Sequence, residues 1–217
     1  NATHFRYPMI YGPRQLAPRE WSIVRRILDS RQRLILLDGG LTIESRGYAE
    51  NMAHALMLAV DKPRACAGQI YNVRDDGLLT TKDWVRVIAN MMGHRFEFVE
   101  MPYALGRPAR LYTGRAQHRV LDITKVKAEL GYRDVVPIEK AVELSARYYW
   151  ENRPQPGGET EQQLRDPFDY AAEDHLIDRY YELAQKVREI APKAIGFRHP
   201  YSHPKKPGEQ PTVAPGT

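Results

Sequence analysis

Guanidinium groups are the most concentrated source of binding chemistry in this sequence. A guanidinium donates two parallel hydrogen bonds to a phosphate or a carboxylate, so it suits the recognition of an anion. Arg46 stands just before a predicted helix. Four more arginines fall in an irregular stretch between residues 103 and 119: Arg107, Arg110, Arg115 and Arg119. Arg46, Arg107, Arg110 and Arg115 are the candidate ligand contacts, although solvation or pairing with a nearby acid is the common fate of an arginine.

Residues that could bind a metal or act as a nucleophile are sparse. His54 follows Glu50 by four positions, and His175 lies between Asp174 and Asp178. One short pair lacks the three or four ligands that a metal site needs, so we predict no metal site and assign no catalytic residue. Cys66 is the only cysteine, which excludes a disulfide framework and a cysteine-based zinc site. We expect a reducing compartment and a cytoplasmic protein.

The elements that must position these residues alternate between strands and helices. Strands are predicted near residues 3–11, 33–37, 69–73 and 96–99. Helices are predicted near residues 18–31, 51–62, 81–92, 123–130, 137–151 and 176–190. Asn51 is the expected N-cap of the second helix, with Met52, Leu56, Ala59 and Val60 facing inward. Thr80 and Asp83 have the spacing of a capping box. The alternation indicates an α/β architecture whose sheet is at least partly parallel.

Composition narrows the function classes further. Hydrophobic residues make up 42% of the 217 and charged residues 27%, which excludes wholesale disorder. No apolar run is long enough to cross a membrane. The net charge of +5 divides into +3 in the proline-rich residues 191–217 and +2 in the other 190. A near-neutral body with a basic tail disfavours a dedicated nucleic-acid binder.

Four segments in order resemble extended short-chain dehydrogenase/reductases, the NAD-dependent epimerase/dehydratase family. The segments are Arg6–Arg14 (RYPMIYGPR), Gly47–Ala55 (GYAENMAHA), Ile70–Val73 with the following Leu79–Thr80, and Asp122–Tyr132 (DITKVKAELGY). They resemble the C-terminal half of that family and cover about residues 3–153. We therefore predict the last strands of a Rossmann-like parallel sheet and the small α/β substrate domain in residues 1–153. A linker and docking helix are expected in 154–190, and a basic tail in 191–217.

The resemblance also implies a site and a missing part. It places Tyr7, Pro8 and Met9 beside the nicotinamide of NAD or NADP, with Met9 also contacting substrate, and it makes Arg46, Arg107, Arg110 and Arg115 candidates for binding an anionic substrate. Residues 7–9 are equally consistent with packing at the end of a sheet. The glycine-rich phosphate loop of the family is absent from this sequence. Its Tyr-x-x-x-Lys pattern occurs only at Tyr201–Lys205, within a proline-rich stretch. We expect the cofactor to be bound mainly by an absent N-terminal half or a partner chain.

The predicted function is the substrate-binding part of an NAD(P)-dependent epimerase, dehydratase or reductase that transfers hydride at a carbinol or carbonyl carbon. Met9 stands where many nucleotide-sugar members have asparagine, and Glu44-Ser45 replaces an Arg-Asp pair, so both departures argue against a nucleotide-sugar substrate. The alternative is a non-catalytic remnant that binds RNA or a protein partner. A homodimer stays open, and the sequence does not decide between NAD and NADP.

Overall fold

The computed structural model describes residues 2–107 and 116–190. Six strands occur in these ranges: β1 (His4–Arg6), β2 (Met9–Tyr11), β3 (Arg33–Leu37), β4 (Arg46–Tyr48), β5 (Ile70–Asn72) and β6 (Glu97–Met101). The longer helices are α1 (Arg19–Leu28), α2 (Ala49–Asp61), α4 (Thr81–Met91), α7 (Ile138–Glu151) and α9 (Tyr170–Ile190). Shorter ones are α3 (Pro63–Cys66), α5 (Tyr103–Gly106), α6 (Thr124–Leu130) and α8 (Glu159–Leu164).

The strands form three parallel pairs. β1 pairs with β5, β2 with β4, and β3 with β6. Parallel pairing needs a crossover between partners, and helices provide it in each case. The predicted α/β class is therefore confirmed.

The predicted strand at residues 3–11 is two strands with different partners. Phe5 is opposite Tyr71 in β5, whereas Ile10 is opposite Gly47 in β4. Pro8 lies between them and cannot donate a hydrogen bond to a ladder, which explains the interruption. The chain therefore passes from one sheet to another within a few residues.

Three buried clusters form the core. The largest lies among α1, α4 and α7 and includes Trp21, Trp84 and Val142. A second packs α2 and α6 against β1 and β5, with Tyr71 and Leu130 fully buried. The third covers one face of β3 and β6: Ile35, Leu37, Val99 and Met101 pack with Ile177 of α9.

Two expectations for α2 are wrong. The helix begins at Ala49, so Asn51 is not its N-cap but lies buried in the first turn. Its side chain instead accepts hydrogen bonds from the backbone N–H groups of Val135 and Val136. Leu56 and Val60 are exposed, while Met52, Ala55 and Ala59 face the core. The apolar face that α2 buries is narrower than the sequence suggested, because the helix packs only against the second, smaller cluster.

By its contacts the chain divides into two compact units, Asn1–Tyr180 and Tyr181–Thr217. The described part of the second unit is the C-terminal end of α9, where Leu183, Val187 and Ile190 are exposed. In the first unit, α8 and the start of α9 are held to α1 by ion pairs. The predicted domain boundary at residues 153 and 154 stays a prediction. Among residues 2–107 and 116–190, no helix is both long and apolar enough to cross a membrane.

Candidate functional site

A cleft of about 370 Å³ opens where the β1 sheet gives way to the β2 sheet. Eight described residues line it: Tyr7, Pro8, Met9, Glu44, Ser45, Arg119, Val120 and Leu121. Residues 7–9 follow the carboxyl end of β1, and residues 44–45 precede β4. In open parallel sheets, ligands bind outside the carboxyl ends of strands where the order changes. The cleft lies at the carboxyl end of β1 and at the amino ends of β2 and β4.

Backbone pairing fixes the far wall of the cleft. The Arg119 N–H donates to the Ile43 carbonyl at 2.9 Å, and the Ser45 N–H donates to the Arg119 carbonyl at 2.7 Å. The Leu121 N–H donates to Ser45 Oγ at 2.8 Å. Residues 119–121 are thereby held beside residues 43–45, which the chain separates by more than seventy positions.

Charge in the cleft is divided between a paired acid and a cation. Glu44 Oε2 lies 3.4 Å from Arg19 Nη1 and 3.9 Å from Arg46 Nη2. Arg119 is exposed and forms no ion pair with any other residue that the structure describes. Because the Glu44 carboxylate is already neutralised by two arginines, Arg119 is the group available to attract an anion.

The Tyr7 hydroxyl forms no hydrogen bond within the described residues although it is shielded from solvent. Burial raises the pKa of Tyr7, so the hydroxyl stays protonated at neutral pH and can donate. Pro8 and Met9, which follow Tyr7 in the chain, add apolar surface to the cleft. Together the three residues form an apolar wall with one unsatisfied hydroxyl buried within it.

Arg46 lies beneath the cleft and is 5% exposed. Its guanidinium stacks on the Trp84 ring, with 3.9 Å from Cζ to the ring centroid. Burial lowers the pKa of Arg46 to about 10, although the nearby Glu20 carboxylate opposes this shift. Glu20 is itself fully buried, and burial raises its pKa. Arg46 is therefore part of an internal ionic group that supports the cleft floor.

A second buried polar group fixes β4 from the other side. Asp75 Oδ1 accepts hydrogen bonds from the Tyr48 N–H and from Asn51 Nδ2, both at 2.9 Å. Burial raises the pKa of Asp75 to about 6 even though these hydrogen bonds favour the ionised form. The charge of Asp75 also helps to raise the pKa of Tyr11, after burial itself.

The structure brings together only some of the predicted site residues. Tyr7, Pro8 and Met9 share the cleft, whereas Arg46 is buried below it and Arg107 is exposed at the end of α5. Arg110 and Arg115 lie outside the described residues, as do Tyr201 and Lys205. Binding roles for all of these residues stay predictions.

Sequence reasoning missed the contribution of Arg119 and Ser45 to the cleft. Both depend on the long-range pairing of residues 43–45 with 119–121, for which the sequence contains no local signal. Within residues 2–107 and 116–190 there is no group of three or more histidine, cysteine, aspartate or glutamate side chains that could hold a metal ion.

Comparison with known proteins supports the resemblance seen in the motifs. No family model matches the chain. A UDP-D-apiose/UDP-D-xylose synthase of Oryza sativa subsp. japonica is 26% identical over 150 residues, which are 65% of this chain and 37% of the synthase. This chain thus spans less than two fifths of that curated relative.

Solved structures of nucleotide-sugar enzymes share the fold. UDP-glucose 4-epimerase from Thermotoga maritima, determined with UDP-glucose, has a TM-score of 0.52 and 20% identity over 69% of this chain and 46% of its own. UDP-glucuronic acid 4-epimerase from Bacillus cereus, in complex with UDP-glucuronic acid and NAD, has a TM-score of 0.53 and 17% identity over 68% and 45%. DesIV, a dTDP-glucose 4,6-dehydratase from Streptomyces venezuelae, has a TM-score of 0.51 and 23% identity over 69% and 44%.

These likenesses cover about two thirds of the chain and under half of each solved relative. The resemblance to extended short-chain dehydrogenase/reductases of the epimerase/dehydratase type is confirmed, and the fold is theirs.

Proposed function

We propose that this chain forms the substrate side of an NAD(P)-dependent enzyme of the epimerase/dehydratase type. The observation that carries the proposal is one cleft at the carboxyl end of β1, lined by Tyr7, Pro8 and Met9 together with Arg119, which has no ion-pair partner among the described residues. Ligands in parallel sheets bind at the carboxyl ends of strands, which is how β1 meets this cleft. The reaction we infer is hydride transfer at a carbinol or carbonyl carbon.

The residues present fit the nicotinamide end of the cofactor. A nicotinamide ring needs a flat apolar wall, which Pro8 and Met9 provide, and its carboxamide needs a hydrogen-bond partner. The Tyr7 hydroxyl is a buried donor that has no partner among the described residues. When bound, NAD(P) supplies the hydride acceptor or donor.

The rest of the dinucleotide has no corresponding site in this sequence. A pyrophosphate needs a glycine-rich turn that leads into a helix N-terminus, and the sequence has no Gly-x-x-Gly-x-x-Gly pattern. We therefore assign the adenosine and pyrophosphate half of the cofactor, and the acid–base pair, to residues that an N-terminal half or a partner chain would supply.

In this proposal the chain's own residues bind and orient. Arg119 holds the negative group of the substrate, while Met9 shields the reacting carbon from water. Arg19 and Arg46 pair with the Glu44 carboxylate, so that it does not compete with the substrate for Arg119. Ser45 fixes the loop that carries Arg119 through its contact with the Leu121 N–H.

The substrate we propose is a small anion whose charge lies at the Arg119 end of the cleft. The relatives named above act on, or were determined with, sugars linked to UDP or dTDP. Arg19 and Arg46 already pair with Glu44, so Arg119 is the cation in the described lining that is left for a diphosphate or another anion. The negative group of the substrate must therefore lie on the Arg119 side of the cleft.

The test compares reduced nicotinamide mononucleotide with NADH, both followed by their own fluorescence. Because the chain offers a site only for the nicotinamide end, we expect the two affinities to agree within about threefold. Adenosine diphosphate is the control and should not displace the reduced mononucleotide from this cleft. NADH binding at least tenfold tighter than the mononucleotide, at micromolar Kd, would place the pyrophosphate site in this chain and contradict the assignment. If neither ligand binds, the proposal that the cleft holds the nicotinamide is wrong.

A further inference from the structure

A second cleft, of about 400 Å³, lies between the C-terminal half of α4 and the edge of β6. Its described lining residues that bear on binding are Arg86, Asn90, His94, Arg95, Phe96 and Phe98. None of them lines the first cleft. Its volume falls within the range of small-molecule sites.

Local structure explains why these side chains converge. Phe96 and Phe98 are two positions apart on extended chain, so both rings lie on the same face, with their centroids 6.4 Å apart. α4 ends at Met91, and Gly93 turns the chain with a φ of +64°. This turn brings His94 and Arg95 back beside Asn90 on the last turn of the helix.

The charge of this cleft is positive. Its described lining contains two arginines and a histidine, and no acid. Arg86 pairs with Asp83 at 3.3 Å, but both side chains are about half exposed, so the pair is weak and separable. Arg95 is exposed and has no ion-pair partner among residues 2–107 and 116–190.

The aromatic floor already attracts cations. Lys82 Nζ lies 5.5 Å from the Phe98 ring centroid and Arg86 Cζ lies 5.9 Å from it. The His94 ring meets Phe96 edge-on at 4.4 Å between centroids. His94 Nε2 is shielded from solvent and has no hydrogen-bond partner among the described residues. The site thus offers ring surface and positive charge together.

We propose that this cleft binds a small organic anion that carries a planar ring, of the size of a nucleoside monophosphate. The ring would lie on Phe98, the anionic group would be held by Arg95 and Arg86, and Asn90 would contact polar atoms of the ring edge. A cleft of about 400 Å³ suits one such molecule rather than a strand of nucleic acid, which follows a long groove. The site is independent of the proposed catalytic cleft.

The experiment titrates adenosine 5′-monophosphate, adenosine and inorganic phosphate separately into the 217-residue chain. Binding is followed by the NMR signals of the His94 and Phe98 rings. Because ring and anion both contribute, we expect the monophosphate to bind at least about tenfold more tightly than either part. Arg95→Gln should weaken monophosphate binding about tenfold, and Phe98→Leu by a similar factor.

Arg64→Gln is the matched control, because Arg64 is an exposed arginine on α3, a helix that packs in the second core cluster and does not line this cleft. It should leave the affinity unchanged. The proposal is overturned if the monophosphate causes no shift at about 10 mM, a concentration at which even millimolar sites fill. It is also overturned if Arg64→Gln weakens binding as much as Arg95→Gln. An eight-residue oligouridylate that binds more than tenfold tighter than the mononucleotide would replace the small-molecule site by a nucleic-acid surface.

Discussion

At the scale of single residues, the site depends on charged groups buried without full solvation. Arg46, Glu20 and Asp75 are each less than a tenth exposed and lie around β4 or its neighbours. Arg46 is held by the Trp84 ring and by carboxylates, rather than by water. Removing Arg46 or Glu20 would leave the other buried charge without its neighbour, which destabilises a fold more than the pair itself stabilises it. These residues therefore fix the cleft floor more than they bind ligands.

Asp75 gives the pH prediction. Its pKa is about 6 in the fold and 3.8 as a free side chain, so the folded state binds the proton more tightly. The free energy of unfolding should therefore fall as pH rises from about 4 to about 6, and level off above that range. The fall attributable to Asp75 is about 3 kcal/mol.

Asp75→Asn is the comparison variant, because asparagine Oδ1 can still accept from the Tyr48 N–H and from Asn51. Denaturant unfolding at pH 4, 5, 6 and 7 measures the difference between the two proteins. Between pH 4 and pH 6, the free energy of unfolding of the wild type should fall relative to that of Asp75→Asn. A constant difference over the range would show that Asp75 has an ordinary pKa.

At the scale of elements, an acidic segment secures the C-terminal helices to α1. Arg26 is buried and bonds both oxygens of Asp166, at 2.5 Å and 3.1 Å, and also bonds Glu173. Burial alone lowers the pKa of Arg26, but the hydrogen bond and charge of Asp166 raise it above its ordinary value. Ser22 donates to the same carboxylate at 2.6 Å. This network attaches a segment that lies outside the motifs shared with the family.

Asparagine substitutions at Asp166 and Asp178 compare the contribution of a buried ion pair to stability with that of an exposed one. Asp166→Asn removes the charge opposite a buried arginine and should lower the free energy of unfolding by about 3 kcal/mol. Asp178→Asn is the control, since Asp178 pairs with Arg33 at 3.0 Å while its side chain is 62% exposed. It should cost less than about 1 kcal/mol. Urea unfolding of both variants measures these changes. Equal decreases in the free energy of unfolding would show that the Asp166 network contributes no more than an exposed pair.

The sequence predicted elements well wherever the signal was local. Thr80 is confirmed as the N-cap of α4, since the Asp83 N–H donates to Thr80 Oγ1 at 3.1 Å. The Asp83 carboxylate accepts from the Thr80 hydroxyl at 2.6 Å, rather than from the backbone N–H that a full capping box would use. Gly131 ends α6 with a φ of +73°, as its position suggested. Asn51 was misread because its side chain bonds residues 135 and 136, more than eighty positions away. Short-range spacing cannot reveal such partners.

The site was predictable only in part for the same reason. Residues 7–9 lie in one continuous motif, so the sequence could single them out. Arg119 and Ser45 reach the cleft through pairing between distant segments, and that pairing exists only in the folded chain. Arg46 was noted for its charge, but its burial against Trp84 depends on how α4 packs.

At the scale of the whole molecule, we propose that the described fold supplies one side of a nicotinamide-dependent site. The cleft lies at a change between two parallel strand pairs, and its wall comes from segments far apart in sequence. Relatives of this fold are more than twice as long as the part that matches. A complete enzyme would require further residues to hold the dinucleotide and to move protons.

The most direct measurement uses the methyl groups of methionine as internal probes. Met9 lines the cleft, whereas Met57 is 56% exposed on α2 and does not line it, so both can be followed in one labelled sample. On titration with nicotinamide mononucleotide, we expect a saturable shift of the Met9 methyl signal and no shift at Met57. If the protein is saturated with the nucleotide and the Met9 signal does not move, or if both methyl signals move equally, the nicotinamide does not bind in this cleft.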